Sequence, residues 1–411
     1  MRTKAMLCVL ACLAAVIPAP AAAADPAPDS ASVRSEWREV FSPDGSIRRV
    51  LTTRRAEEPS APRSALAAAE VIPIEVNGPS ESRFDLVFVG DGYTSSQFST
   101  YGQHVRSKLD EIMAIEPFRS HRAQFNVWQV NVPSAQSGVD NDPTQGVSRS
   151  TALDMGFWCA GIERLLCVNE TKARQYAAQA RDVDQVLALG NSTKYGGAGG
   201  GVATASGGNA QSGQVAIHEL GHSVGKLADE YTYGQGDLYT GPEPRESNVS
   251  IYQRATMSQY KLKWYRWLGQ STPDGGVIDT FTGGYYHQRG IYRPSDNSIM
   301  RTLGRQFNLP GREAMIAAFY RETGLIDAGA PDASSSVLWV KPIRSAGTTT
   351  TTWRIDGRPA GTGDRLDLAA ARLSGGSHTV TATVTARTPW VRDPALQKNA
   401  LTDSRTWTIT R

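Results

Sequence analysis

His218-Glu-Leu-Gly-His222-Ser-Val-Gly225-Lys-Leu-Ala-Asp229-Glu230-Tyr231 is the stretch on which the reading of this chain turns. In a helix, residues i and i+4 lie one above the other on the same face. Two imidazoles so spaced grip one metal ion. Glu219, beside the first of them, reaches a water bound to that ion as general base. The same spacing also arises on solvated helix faces, and three neighbours argue against that here. Val215-Ala216-Ile217 is an apolar lead-in that predicts a buried helix. Gly225 stands where a short metal-bearing helix has to stop. The carboxylate pair Asp229-Glu230 follows directly and offers a third ligand.

The chain holds six histidines in all, at 104, 121, 218, 222, 287 and 378. HExxH is the zinc-site pattern of many metallopeptidases. Had the helix continued, Asp229 would lie about 10 Å beyond His222 along its axis, at roughly 1.5 Å per residue. The chain must therefore turn at Gly225 to bring a carboxylate back. Asp229 is the favoured third ligand, Glu230 comes second and His287 third. The expected cofactor is Zn2+.

Residues 1–24 read as a Sec-type signal peptide: Arg2 and Lys4, an apolar run from Met6 to Ile17, then Ala22-Ala-Ala24 at a small-residue cleavage site. The expected location is periplasmic or extracellular. No other segment is long and apolar enough to suggest an integral membrane span. The formal charge of +3 is small, with no dense basic block, so nucleic acid is an unexpected partner. Cys8 and Cys12 leave with the signal. Cys159 and Cys167 remain, and in an exported protein they read as one local disulfide.

Residues 25–70 read as a weakly ordered leader with a hairpin around Pro43-Asp-Gly45. Residues 71–328 read as a catalytic domain. Its strands are expected at Phe84–Val89, Phe125–Val132 and Val186–Leu189. Its helices are expected near Gln97–Ile115, Thr171–Arg181 and Ala314–Glu322, with Ala152–Cys167 partly helical. The glycine run Tyr195–Gly201 lacks a Walker lysine and reads as a close-approach segment before the zinc helix. From 329 to 411 the composition shifts to Thr, Val, Trp and Ser with period-two alternation, which predicts a small all-β, Ig-like sandwich. The fold class is α+β.

The zinc segment and its surroundings resemble the IgA-protease family of bacterial zinc endopeptidases. The likeness rests on Phe84-Asp-Leu-Val-Phe-Val-Gly-Asp-Gly-Tyr93, Phe125-Asn-Val-Trp128, Ser134–Asp140, Gly161–Cys167, Tyr195-Gly-Gly197, His218–Tyr231 and Lys263-Trp264. It implies a zincin or metzincin-like domain: a twisted sheet, an active-site helix and a methionine turn beneath the metal. Ser298-Ile-Met300-Arg301 is the candidate turn, with Met300 as a supporting residue. The metzincin third-ligand position falls on Ala228, which cannot bind zinc, and the carboxylate comes one residue late.

The function expected from these residues is a secreted zinc-dependent endopeptidase acting on protein or peptide substrates. His218, His222 and Asp229 bind zinc, and Glu219 deprotonates the zinc-activated water. Tyr231, Tyr286, His287 and Tyr292 are candidate oxyanion donors. A strand near Val186–Leu189 is expected to pair with an extended substrate. One alternative is an exported binding or adhesion protein that works through the sandwich, with the zinc domain as scaffold. The intact His-Glu-His set argues against it, since a structural site has no need of Glu219. Another is a cell-wall peptide amidase.

Overall fold

The computed structural model describes residues 33–55, 68–233, 236–332, 334 and 336–411. The expected signal peptide, with Cys8 and Cys12, lies outside the described residues. Among them, no helix is long and apolar enough to cross a membrane.

The first element is a hairpin of β1 (Val33–Phe41) and β2 (Ile47–Arg55), in unbroken antiparallel register from Val33↔Arg55 to Phe41↔Ile47. Its turn lies at the expected Pro43-Asp-Gly45, where Gly45 takes a φ of +85° that favours glycine. The hairpin pairs with no other described strand.

A six-stranded mixed sheet follows. It comprises β3 (Glu70–Glu75), β4 (Phe84–Asp91), β5 (Phe125–Asn131), β6 (Gln185–Gly190), β7 (Gly197–Ala198) and β8 (Ala203–Ser206), in the order β3-β5-β4-β6-β8-β7. The four central strands run parallel, and β3 and β7 are antiparallel edges. Period-two alternation sends the side chains of β4 to opposite faces. Phe84, Leu86 and Phe88 pack with α1 (Phe98–Met113) and α3 (Gly213–Ser223). Val87 and Val89 pack with α2 (Glu170–Ala177) and with Leu153, Met155 and Phe157. Both faces are covered, so β4 is buried along its whole length.

Strand order changes one expectation. Val186–Leu189 lies in β6, hydrogen-bonded between β4 and β8. Its backbone groups are already paired, so it cannot take up a substrate strand. The edge nearest α3 is β7, inside the glycine-rich run. A second expectation is met only in small part. Ala152–Cys167 has only a single 3-10 turn, Cys159–Gly161, with Trp158 and Ala160 at left-handed φ. Backbone bonds between Gly156 and Cys167 and the Cys159–Cys167 disulfide close this loop in place of a helix.

Beyond the sheet come α4 (Arg254–Tyr260), the hairpin β9 (Phe281–Gly284) with β10 (His287–Arg293), and α5 (Leu309–Thr323). The remaining strands form two small sheets. One is β11 (Ile326–Gly329), β12 (Val337–Pro342) and β15 (Arg365–Asp367), in the order β11-β12-β15. The other is β14 (Arg358–Thr362), β13 (Thr348–Ile355), β16 (Ser377–Arg387) and β17 (Thr402–Thr410), in that order. A short helix, α6 (Pro394–Asn399), precedes the last strand. Leu338, Val340, Trp353, Val380, Val384 and Trp407 from both sheets share one apolar core. This sheet pair begins at β11, slightly ahead of the composition shift at 329. Helix α5 serves both parts: Met315 and Phe319 enter the core beneath α3, while Ile316 and Tyr320 enter the tail's core.

Candidate metal centre and catalytic residues

Helix α3 is buried because its lead-in is apolar: Val215 and Ile217 are fully covered and Leu220 is 1 % exposed. Burial of such side chains is worth about 1.5–3 kcal/mol each. The helix stops at Ser223. Amides of Lys226 and Leu227 then bond back to the carbonyls of His222 and Gly221, at 3.2 and 3.1 Å. The left-handed residue of this reversal is Lys226, at φ +51°, not Gly225. Gly225 serves close approach instead, since a Cβ there would lie 2.5 Å from Met315 Sδ and 2.9 Å from the Gly221 carbonyl.

The reversal brings Asp229 back to the imidazoles. Asp229 Oδ1 lies 3.3 Å from His218 Nε2 and 3.2 Å from His222 Nε2, and the two Nε2 atoms are 3.0 Å apart. Each Nδ1 faces a backbone carbonyl, Ile299 O at 2.9 Å and Leu227 O at 2.7 Å. Those bonds place the proton on Nδ1 and leave both Nε2 lone pairs directed at one point. Asp229 Oδ2 accepts the Tyr286 hydroxyl at 2.6 Å, while Oδ1 is buried without a hydrogen-bond partner.

Such a set fits a cation. Donors bonded at about 2.0–2.1 Å to a tetrahedral ion stand roughly 3.3 Å from each other. The electrostatics agree. Burial opposes charge on His222, yet Asp229 lifts its pKa to about 9. Burial likewise opposes protonation of His218, but the Asp229 and Glu39 carboxylates, as acceptors for the charged ring, raise its pKa well above the ordinary value. Burial works against the Asp229 charge too, and the imidazoles hold its carboxyl far below the usual range. The pocket draws positive charge, of the kind a metal ion would supply.

Glu219 stands on the same helix, 6 % exposed, its Oε1 buried without a partner. Burial first, and then the Glu39 charge, pushes its carboxyl up to about 8. Gly199, just past β7, makes room for it: a Cβ at 199 would lie 2.2 Å from Glu219 Oε1. Gly199→Ala is therefore expected to displace the carboxylate and lower kcat by roughly 10²-fold, the scale of a 1 Å misplacement. Metal content and melting temperature should stay near those of the parent chain. Peptide hydrolysis beside metal analysis checks this, and an unchanged kcat would mean that the position of Glu219 does not matter.

The other candidates lie elsewhere. Glu230 is fully buried and faces away from the imidazoles. It accepts from Asn248 Nδ2 (2.9 Å), Asn308 Nδ2 (2.9 and 3.2 Å) and Ser298 Oγ (2.8 Å). His287 Nδ1 sits 2.8 Å from Asp237 Oδ2, outside the cluster. Met300 is 1 % exposed, and a Cβ on Gly221 would lie 2.5 Å from its Sδ, so the thioether lies against the helix between the two histidines in sequence. Its carbonyl accepts the Glu230 amide at 2.7 Å. Of the tyrosines, Tyr286 bonds Asp229, Tyr231 bonds Glu39, and Tyr292 accepts from Gln253 at 2.6 Å. Asp91 accepts the Leu153 and Met155 amides at 2.8 Å each, and Asp140 accepts the Arg149 amide.

One member of the cluster was not anticipated. Glu39 of β1 places Oε2 3.4 Å from His218 Nε2 and 3.7 Å from His222 Nε2. Glu39, His218, His222 and Asp229 offer ligand atoms that all lie within 4.8 Å of one another. Glu39, His222 and Asp229 border an open cavity of about 520 Å³ that Glu219, Gly199 and Tyr286 also line, while His218 is buried behind it.

Two imidazoles and a carboxylate converging beside a free glutamate fit the donor set of a mononuclear metallohydrolase centre. The family model for IgA Peptidase M64 matches residues 72–275 and 270–319, and the chain belongs to that family. Membership places it among peptidases, with protein substrates. No curated protein matches the chain.

Proposed function

We propose that this protein is an exported zinc endopeptidase in which His218, His222 and Asp229 hold the metal and Glu219 is the general base. The catalytic unit is read as residues 71–328, of zincin type, with the β-sandwich of 329–411 appended. The observation that carries the reading is the convergence of the two Nε2 lone pairs and Asp229 Oδ1 on one point beside the unpartnered Glu219 carboxylate.

Zinc bound there supplies Lewis acidity and lowers the pKa of a water to about 7. The chain's own residues do the rest. Ile299 and Leu227 carbonyls fix both imidazole tautomers. Tyr286 orients Asp229 through Oδ2. Glu219 takes the proton of the attacking water and delivers it to the leaving amine. Met300 supports the helix from below.

The test is metal removal. Chelation is expected to abolish cleavage of a diverse peptide library, and about one equivalent of Zn2+ per chain should restore it. Cleavage that survives complete metal removal would overturn the reading. Digestion of peptidoglycan without cleavage of protein would favour the amidase.

A further inference from the structure

Glu39 is the one member of the ligand cluster that lies outside the family-matched residues 72–319. The matched part already contains three protein ligands and a base. A catalytic zinc site keeps its fourth position for water or substrate, whereas a site with four protein ligands is closed. We propose that the β1–β2 hairpin is a built-in plug, with Glu39 filling the fourth metal position and holding the activity of the full chain low. The proposal rests on the metallopeptidase reading above.

The geometry is that of a fourth vertex. Glu39 Oε2 lies 3.4 and 3.7 Å from the two Nε2 atoms, somewhat beyond the 3.0 to 3.3 Å among the other donors, and all four ligand atoms lie within 4.8 Å of one another. Tyr231 donates its hydroxyl to Glu39 Oε1, which leaves Oε2 facing the imidazoles. The side chain is thus aimed and held, not swept in by chance.

The hairpin is also seated on the machinery itself. Phe41 meets the His218 ring edge-on, with centroids 5.5 Å apart. Arg38 Nη1 donates to Gly199 O at 3.2 Å, on the segment that makes room for Glu219. The Arg49 guanidinium lies 4.1 Å from the centre of the Tyr286 ring. At the tip, the Leu303 amide donates to Gly45 O at 2.9 Å, just past Met300. A peptide approaching Glu219 along the β7 side meets β1 first.

Yet the hairpin is built to leave. Its two strands hydrogen-bond as a sheet only to each other, and a two-stranded hairpin is marginal without its packing partner. The core sheet loses no strand when it goes. Activation then amounts to displacement of β1 and exchange of Glu39 for water.

The test uses the full chain with Glu39→Gln and Glu39→Ala, each loaded with Co2+ and titrated with acetohydroxamate, a small metal chelator. The cobalt absorption spectrum reads access to the metal, independently of turnover. Glutamine keeps the size and the partner of Tyr231, so at least one variant should melt within a few degrees of the parent. The expected result is acetohydroxamate affinity at least tenfold higher in the variants, with peptide cleavage raised at least tenfold. Equal affinity in parent and variants would overturn the plug. So would loss of cleavage with cobalt retained, which would make Glu39 a working part of the catalytic centre. A parent chain that takes up no Co2+ would fail the metallopeptidase reading itself, and the plug with it.

Discussion

Glu219→Gln is expected to lower kcat/KM by about 10²–10⁴-fold, the usual contribution of a positioned general base. Metal content and melting temperature should not move. Glutamine has the same shape and fits the same space beside Gly199, but it cannot take a proton. Oε1 of Glu219 has no hydrogen-bond partner in its buried position, so the exchange breaks no structural bond. Both chains are assayed on the same peptides, and again in the Glu39→Gln background. Metal analysis and thermal melts accompany the kinetics. Cleavage within tenfold of the parent, with metal bound, would show that the proton leaves by another route. Loss of metal along with activity would mean that Glu219 holds the site together and does no acid–base work.

Much of the site was legible because its signal is local. The i, i+4 spacing of His218 and His222 needs only a helix, and Val215-Ala216-Ile217 says that the helix is buried. The strands Phe84–Val89 and Phe125–Val132 and the alternating tail were readable for the same reason: their periodicities are carried within the segment itself. The choice between Asp229 and Glu230 was not local. It depends on where α3 ends and how the chain reverses. Gly225 looked like the residue that permits the turn. In the structure Lys226 takes the left-handed backbone, and Gly225 is small because Met315 and the Gly221 carbonyl crowd it. The Met315 contact comes from α5, which no window around residue 225 contains.

Strand order was hidden for a similar reason. Val186–Leu189 reads as a strand, but whether a strand is central or at an edge depends on partners far away in sequence. The irregular loop from Ala152 to Cys167 shows the limit of propensity: left-handed Trp158 and Ala160 are held by a disulfide and by bonds to Gly156, not by local preference. Glu39 is the extreme case. It stands 179 residues before His218, in a strand with no motif, and only the docking of the hairpin brings it to His218, His222 and Asp229.

Asp229→Ala and Glu230→Gln, compared side by side, carry the other large expectation, because these neighbours are assigned opposite work. Loss of a direct ligand should exceed the roughly 10–100-fold loss of metal affinity typical of outer hydrogen-bonding partners. Asp229→Ala is thus expected to weaken Zn2+ binding by more than about 10²-fold and to leave no measurable cleavage at stoichiometric metal. Glu230→Gln should instead damage the fold. Its carboxylate accepts from Asn248, Asn308 and Ser298 in a buried pocket. An amide there turns one acceptor into a donor facing donors. The expected cost is about 1.5–3 kcal/mol, the range for hydrogen bonds to a charged group. That is a clear fall in melting temperature with Zn2+ affinity near the parent's below the transition. Competition against a colorimetric chelator gives the affinities, and calorimetry gives the melts. The reverse pattern, metal lost with Glu230→Gln and kept with Asp229→Ala, would exchange the two roles and with them the account of why the chain turns back after α3.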